Sequence, residues 1–251
     1  MGAVTFNLFV NGTHLGRVGA SNVTILPGKN ILKLSGNLVP ISSHTDATTI
    51  STLFSLFMAG EDTIVQNVGD TIDPGQPVPW LSESFKGFSM EVPFEGAKKL
   101  KLIKSVEVPG MEMKFNKNEP YAPRMTSKGV TVKFEMPFDF PVDILNVKKS
   151  LDIIVSGDRI AHVEVPWVPA AGNSAIGQMV TNIIDAPFVV YAGKEKQFQS
   201  FLERMTFETG AISVTMAGVA DTKTSTAIGP FVLSGIKFSS DISFKGAVFL
   251  N

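Results

Sequence analysis

The phrase VNGTHLGRV at Val10–Val18 returns as VSGDRIAHV at Val155–Val163. In the first copy Val4, Phe6, Leu8 and Val10 alternate with Thr5, Asn7 and Phe9 and run into Asn11-Gly12. Asn-Gly between apolar alternations is the strongest short hairpin signal, because a type I′ turn needs positive φ at both central residues. Ser156-Gly157-Asp158 is the matching turn in the second copy. A chain that writes one hairpin twice has to place the same β unit twice.

Other landmarks follow both hairpins in the same order. Ile50, Leu53, Phe54 and Phe57 fall at i, i+3, i+4, i+7, with Thr45 or Asp46 as the expected cap and Gly60 as the stop. Phe198, Phe201, Leu202 and Met205 share that spacing, and Gly210 follows. Strand-like stretches come next, Asp62–Thr71 and Ala211–Thr222, and closing strands end each copy at Lys86–Gly96 and Ser234–Gly246. Ile176, Met179, Val180 and Ile183 would also suit a helix. The repeat sets them against the strand-like Ile31–Val39, so a strand is expected. The fold class is therefore mainly β: two tandem immunoglobulin- or fibronectin-like β-sandwiches, each with one short helix. The expected domains are 1–115 and 129–251. Residues 116–128, with two prolines, mixed charge and no periodicity, form the expected linker. Nine residues precede the first turn and about 30 precede the second, so the first domain is expected to be trimmed at its N-terminus and to lack a strand matching Gly129–Met136.

Composition narrows the function classes. Apolar residues make up 44%, enough for a sizeable core, and no cysteine is present to form a disulfide, a thiolate nucleophile or a zinc ligand. With 22 basic and 23 acidic residues and no basic cluster, nucleic acid is not the expected partner. The histidines are His14, His44 and His162. None sits beside a serine elbow or in a zinc-binding helix motif, so no catalytic residues, metal ligands or cofactors are expected. Gly69–Asp73 has the flavour of a calcium loop, but lacks the ligand spacing and closing glutamate, and a solvated turn explains it. Asp221 and Asp241 are expected at surface strand ends. Asn11 and Asn22 head N-glycosylation sequons, usable in a secretory or vacuolar lumen.

The two apolar helix stripes admit two readings. Ile50, Leu53, Phe54, Phe57, Phe198, Phe201, Leu202 and Met205 could line a slot for acyl chains, or could pack onto a sheet as ordinary core. Trp80 and Trp167 are expected to pack, although an indole at a strand end also suits a membrane interface.

VTVKFEMPFDFPVDI, Val130–Ile144, followed by VSGDRIAHVEVP, Val155–Pro166, resembles the type-two late-embryogenesis-abundant superfamily, also called the water-stress and hypersensitive-response fold. GVADTKTSTAIGPFVLSGIKFSSDISFKG, Gly218–Gly246, resembles that family's ending. Tandem copies with Trp80-Leu81 and Tyr121-Ala122-Pro123 resemble a fungal branch found on vacuolar-membrane proteins. The resemblance implies a seven-stranded sandwich with one helix per domain, placed in the vacuolar lumen near a membrane and anchored by a span elsewhere in the protein. It also implies lipid binding or transfer, with a structural or protein-recruiting role as the rival. Met136-Pro137 stands where the plant branch has Asn-Pro, so plant stress functions do not follow.

Overall fold

The computed structural model describes residues 3–24, 27–28, 33–73, 79–97, 102–138, 140–207, 212–244 and 247–250. The protein is mainly β and divides into two compact units, Met1–Lys98 with Ala227–Phe231, and Lys99–Thr226 with Val232–Asn251.

Unit 1 runs β1 (Ala3–Val10), β2 (Thr13–Ala20), β3 (Ser35–Leu38), α1 (His44–Ala59), β4 (Thr63–Asp73), α2 (Pro79–Lys86) and β5 (Ser89–Phe94), with sheet order β3-β2-β1-β4-β5. Unit 2 runs β6 (Ile103–Glu107), β7 (Met111–Asn116), β8 (Glu119–Phe134), β9 (Asp143–Val155), β10 (Asp158–Asn173), β11 (Gln178–Val190), α3 (Glu195–Phe207), β12 (Ile212–Thr226), β13 (Gly229–Phe244) and β14 (Ala247–Leu250). Its sheet order is β13-β12-β9-β10-β11-β8-β7-β14, with β6 also on β8. The stretch β11-β10-β9-β12-β13 repeats β3-β2-β1-β4-β5 strand for strand, with a helix following β11 and β3 in the chain. The expected strand at 176–183 is thus present as the start of β11, opposite β3 in the repeat.

The hairpins agree in detail. Asn11 and Gly12 have φ of 47° and 78°, Ser156 and Gly157 51° and 87°, so both turns use the left-handed region the sequence called for. Each returning strand then carries one bulged residue at the same place, Leu15 in β2 and Ile160 in β10. Both bulged side chains are buried.

Three expectations are corrected. Residues 116–128 are not a linker: they turn at Asn116–Asn118 and continue as β8, and the division between units falls at Lys98/Lys99. The prolines Pro120 and Pro123 are tolerated because β8 there pairs with β7 on one side and reaches β11 only from Arg124 onward. Unit 1 has a second helix, α2, opening with Pro79 at the position where a missing N–H costs nothing. The cap of α1 is Ser43, whose Oγ accepts the Asp46 N–H at 3.1 Å while the Asp46 carboxylate accepts from Ser42. Gly60 does end that helix, at φ 80°. Among the described strands, unit 1 stops at β3 where unit 2 continues from β11 into β8, the strand that spans Gly129–Phe134.

In unit 2 the long strands change faces partway along. On β8, Met125 and Ser127 point inward, then Val130, Val132 and Phe134, with the phase switching at Gly129 (φ 69°). On β11 the inward set passes from Met179, Thr181 and Ile183 to Ala186 and Phe188, switching at Asp185 (φ 47°). On β10 it passes from Val163 and Val165 to Val168 across Pro166-Trp167. Bulges that lie side by side bend the sheet, so that both halves face one apolar core in a sandwich-like arrangement. Asp185 is held at its bulge by Arg124 at 2.8 Å and by its own N–H on the Thr126 hydroxyl at 3.1 Å.

One inward position is a cation. Lys149 on β9 lies opposite Val165 and Ala220 and is only 8% exposed, and burial pushes its ammonium down to about 8. The folded-state value lies below the unfolded one, so the penalty applies while the lysine is charged and fades as pH rises through about 8. Lys149→Met should therefore raise stability at neutral pH by on the order of 1–3 kcal/mol. In urea titrations, the gain over the parent should shrink between about pH 8 and pH 10.

Candidate functional site

The eight helix residues singled out from sequence fall into two sets. In unit 1, Ile50, Leu53 and Phe54 on α1 are buried, and Phe57 is half-buried with its ring 5.2 Å from that of Phe94. In unit 2, Phe198, Phe201 and Met205 on α3 are buried and Leu202 packs at the margin of the same cluster. Phe198 meets Phe188 at 5.5 Å between ring centroids. Phe201 borders a void of about 10 Å³, lined also by Met111, Met125, Ile153, Ile183 and Met216. That is room for about one water, against the several hundred Å³ typical of small-molecule sites. These side chains make a core.

The glycosylation candidates Asn11 and Asn22 are both exposed and both at positive φ, 47° and 56°. Gly69–Asp73, weighed as a calcium loop or a turn, is neither: it lies within β4, and Asp70 pairs with Arg17. Asp221 and Asp241 sit within β12 and β13 rather than at their ends. No group of three or more metal-ligating side chains forms among the described residues. The tryptophans are not packed away: Trp80 is 70% exposed and Trp167 38%, the latter with the Lys223 ammonium 4.9 Å from its ring centroid.

What the sequence did not reveal is a polar knot on the outer face of β9 and β10. In a plain two-residue hairpin His162 would lie opposite Leu151. The bulge at Ile160 slips the register by one residue and sets His162 opposite Asp152 and Glu164 opposite Ser150. His162 Nδ1 donates to Asp152 at 2.9 Å, and Nε2 to Glu164 at 2.8 Å. Ser150 donates to the same Glu164 oxygen at 2.6 Å, the Tyr191 hydroxyl donates to Asp152 at 2.7 Å, and Arg159 reaches Asp152 at 3.2 Å. The spacing that could have shown this is Ser-x-Asp on one strand and His-x-Glu on the next, but only with the bulge known.

Ser150, His162 and Asp152 have the order of a nucleophile, base and orienting acid, with Ser150 Oγ 3.4 Å from His162 Nε2. Glu164 changes the chemistry. Each ring nitrogen faces a carboxylate oxygen, and the bonds to Asp152 first and Glu164 second raise the His162 value, favouring the doubly protonated ring. A serine bond first, then the His162 bond, hold Glu164 low. Burial alone would raise Asp152, but the bonds from His162 and Tyr191 and the charge of Arg159 outweigh it and keep the carboxyl below its usual range. With a carboxylate on each ring nitrogen, neither nitrogen is left to accept the serine proton while the ring is protonated, and the serine hydrogen is turned toward Glu164.

Unit 1 has a counterpart. Thr5 and Arg17 occupy the repeat positions of Ser150 and His162, and Arg17 reaches the Thr5 and Thr71 hydroxyls, each at 3.2 Å, as well as Asp70. Around the unit 2 knot the outer face carries exposed Val219, Val189, Tyr191 and Trp167. No protein-family model matches the chain, and no curated protein sequence matches it.

Phe201→Ala should cost about 3–5 kcal/mol in urea or thermal unfolding, as for any well-packed aromatic, with Val132→Ala as the core control. For His162 the folded-state value is raised. Its stabilisation is complete below the unfolded value near 6.5 and is lost as pH rises through the folded one. The melting-temperature gap between parent and His162→Asn should be wide at about pH 5.5 and narrow at about pH 9. Lys149 is common to both proteins and drops out of that difference.

Proposed function

We propose that the chain is a non-enzymatic binding module that recruits a protein partner through the outer face of β12, β9, β10 and β11 in unit 2. The observation that carries this is the composition of that face: exposed Tyr191, Trp167, Val189 and Val219 surround a set of preordered charges, the mixture typical of protein-recognition surfaces. The close packing of Phe198, Phe201 and Met205 supports a rigid scaffold over an acyl-chain carrier. The resemblance to tandem late-embryogenesis-abundant domains supports a spacer-like module held near the vacuolar membrane on its lumenal side. Exposed Asn11 and Asn22 would accept glycans there. No described helix is long and apolar enough to cross a membrane.

A photo-crosslinking residue at Val219 should give one discrete protein adduct in a host extract. The same residue at Lys117, on the exposed β7–β8 turn, should not. Lipid bound one-to-one to the purified chain in native mass spectrometry would return the helices to the lipid reading. Indistinguishable labelling from the two positions would remove the proposed face.

A further inference from the structure

β13 is an end strand of its sheet, with β12 on one side and no described strand on the other. Within it Gly235 takes a positive φ of 69°, and its backbone N–H donates to Asp221 at 2.9 Å. Beyond Gly235, Ile236–Ile242 is a continuous stretch that meets no described strand on its outer edge, a surface that another strand can complete.

That stretch is self-complementary about Ser239. In an antiparallel pairing of two copies with Ser239 opposite Ser239, Lys237 of each meets Asp241 of the other, and Ile236 meets Ile242. The faces agree: Lys237, Ser239 and Asp241 are exposed, while Ile236, Ser240 and Ile242 are buried and Phe238 is half-buried. Every outward residue therefore falls opposite an outward one, with opposite charges facing twice across the two-fold. Asp241 uses Oδ1 for the Thr215 hydroxyl at 2.6 Å and keeps its second oxygen for a lysine. A shift of one residue would place outward side chains opposite inward ones. Shifting by two places Ser239 opposite either Lys237 or Asp241 and loses both ion pairs.

We propose that two copies of this chain join through β13, antiparallel and centred on Ser239, into one continuous sheet. This contact is separate from the outer face assigned above to a protein partner, and either can hold without the other.

The chain has no cysteine, so one introduced thiol reports cleanly. Facing residues of an antiparallel pair have Cα atoms about 4.5–5.5 Å apart, within disulfide range. Ser239→Cys should oxidise to a covalent dimer faster than Lys117→Cys at equal concentration. In sedimentation equilibrium the parent should show a monomer–dimer equilibrium. Lys237→Asp should weaken it about tenfold or more by placing like charges opposite each other, and Lys237→Asp with Asp241→Lys should restore it. Melting temperatures near the parent's will show that these exposed changes leave the fold intact. A parent that stays monomeric at every concentration, a Ser239→Cys chain that couples no faster than its control, or a double variant that fails to recover would each overturn the proposal.

Discussion

A β-strand has two faces and its side chains alternate between them, so a strand that bends around a core must change phase where it bends. Unit 2 depends on this. If Gly129 and Asp185 did not each absorb one residue at positive φ, Val130, Val132 and Phe134 would turn outward while Met125 stayed inward. The sheet could not then close on one core. The switch on β10 at Pro166-Trp167 lies on the same line, and there the extra outward residue is the indole that Lys223 covers. The bend and the exposed tryptophan have one cause.

The outer face follows from a smaller slip of the same kind. One bulged residue, Ile160, is buried in the core, and the strand beyond it is displaced by one position relative to β9. The displacement brings two carboxylates, an imidazole, a serine and a tyrosine within hydrogen-bonding distance on a surface where the sequence shows isolated polar residues. Because every member has its partner, the knot is held in one arrangement. Serine, histidine and aspartate in the right order do not make a relay when a second carboxylate occupies the far nitrogen.

Much of the fold was legible in the sequence: both hairpins, helices α1 and α3, and the strand at β11 chosen because the repeat demanded it. These rest on local signals, Asn-Gly turns and i, i+3, i+4, i+7 stripes. What escaped was whatever depends on neighbours. Pro120 and Pro123 signal a break unless the strand is known to lack a partner on one side. The alternation on β8 and β11 is interrupted by their bulges, which blurs a period-2 pattern. Of the site, the helix stripes were visible, though not that the void beside Phe201 has room for about one water. The knot around His162 was hidden, because its members come together only through the slip at Ile160.

The equivalence of Arg17 and His162 has a consequence of its own. After an internal duplication, one scaffold position can diverge while its geometry is kept. Here the same place beside a hydroxyl holds a guanidinium in one unit and an imidazole in the other. The imidazole sits between two carboxylates that favour its protonated form. A change of acidity therefore reaches unit 2 through a position that in unit 1 carries a different donor. The two repeats share an architecture but not the chemistry of this one place.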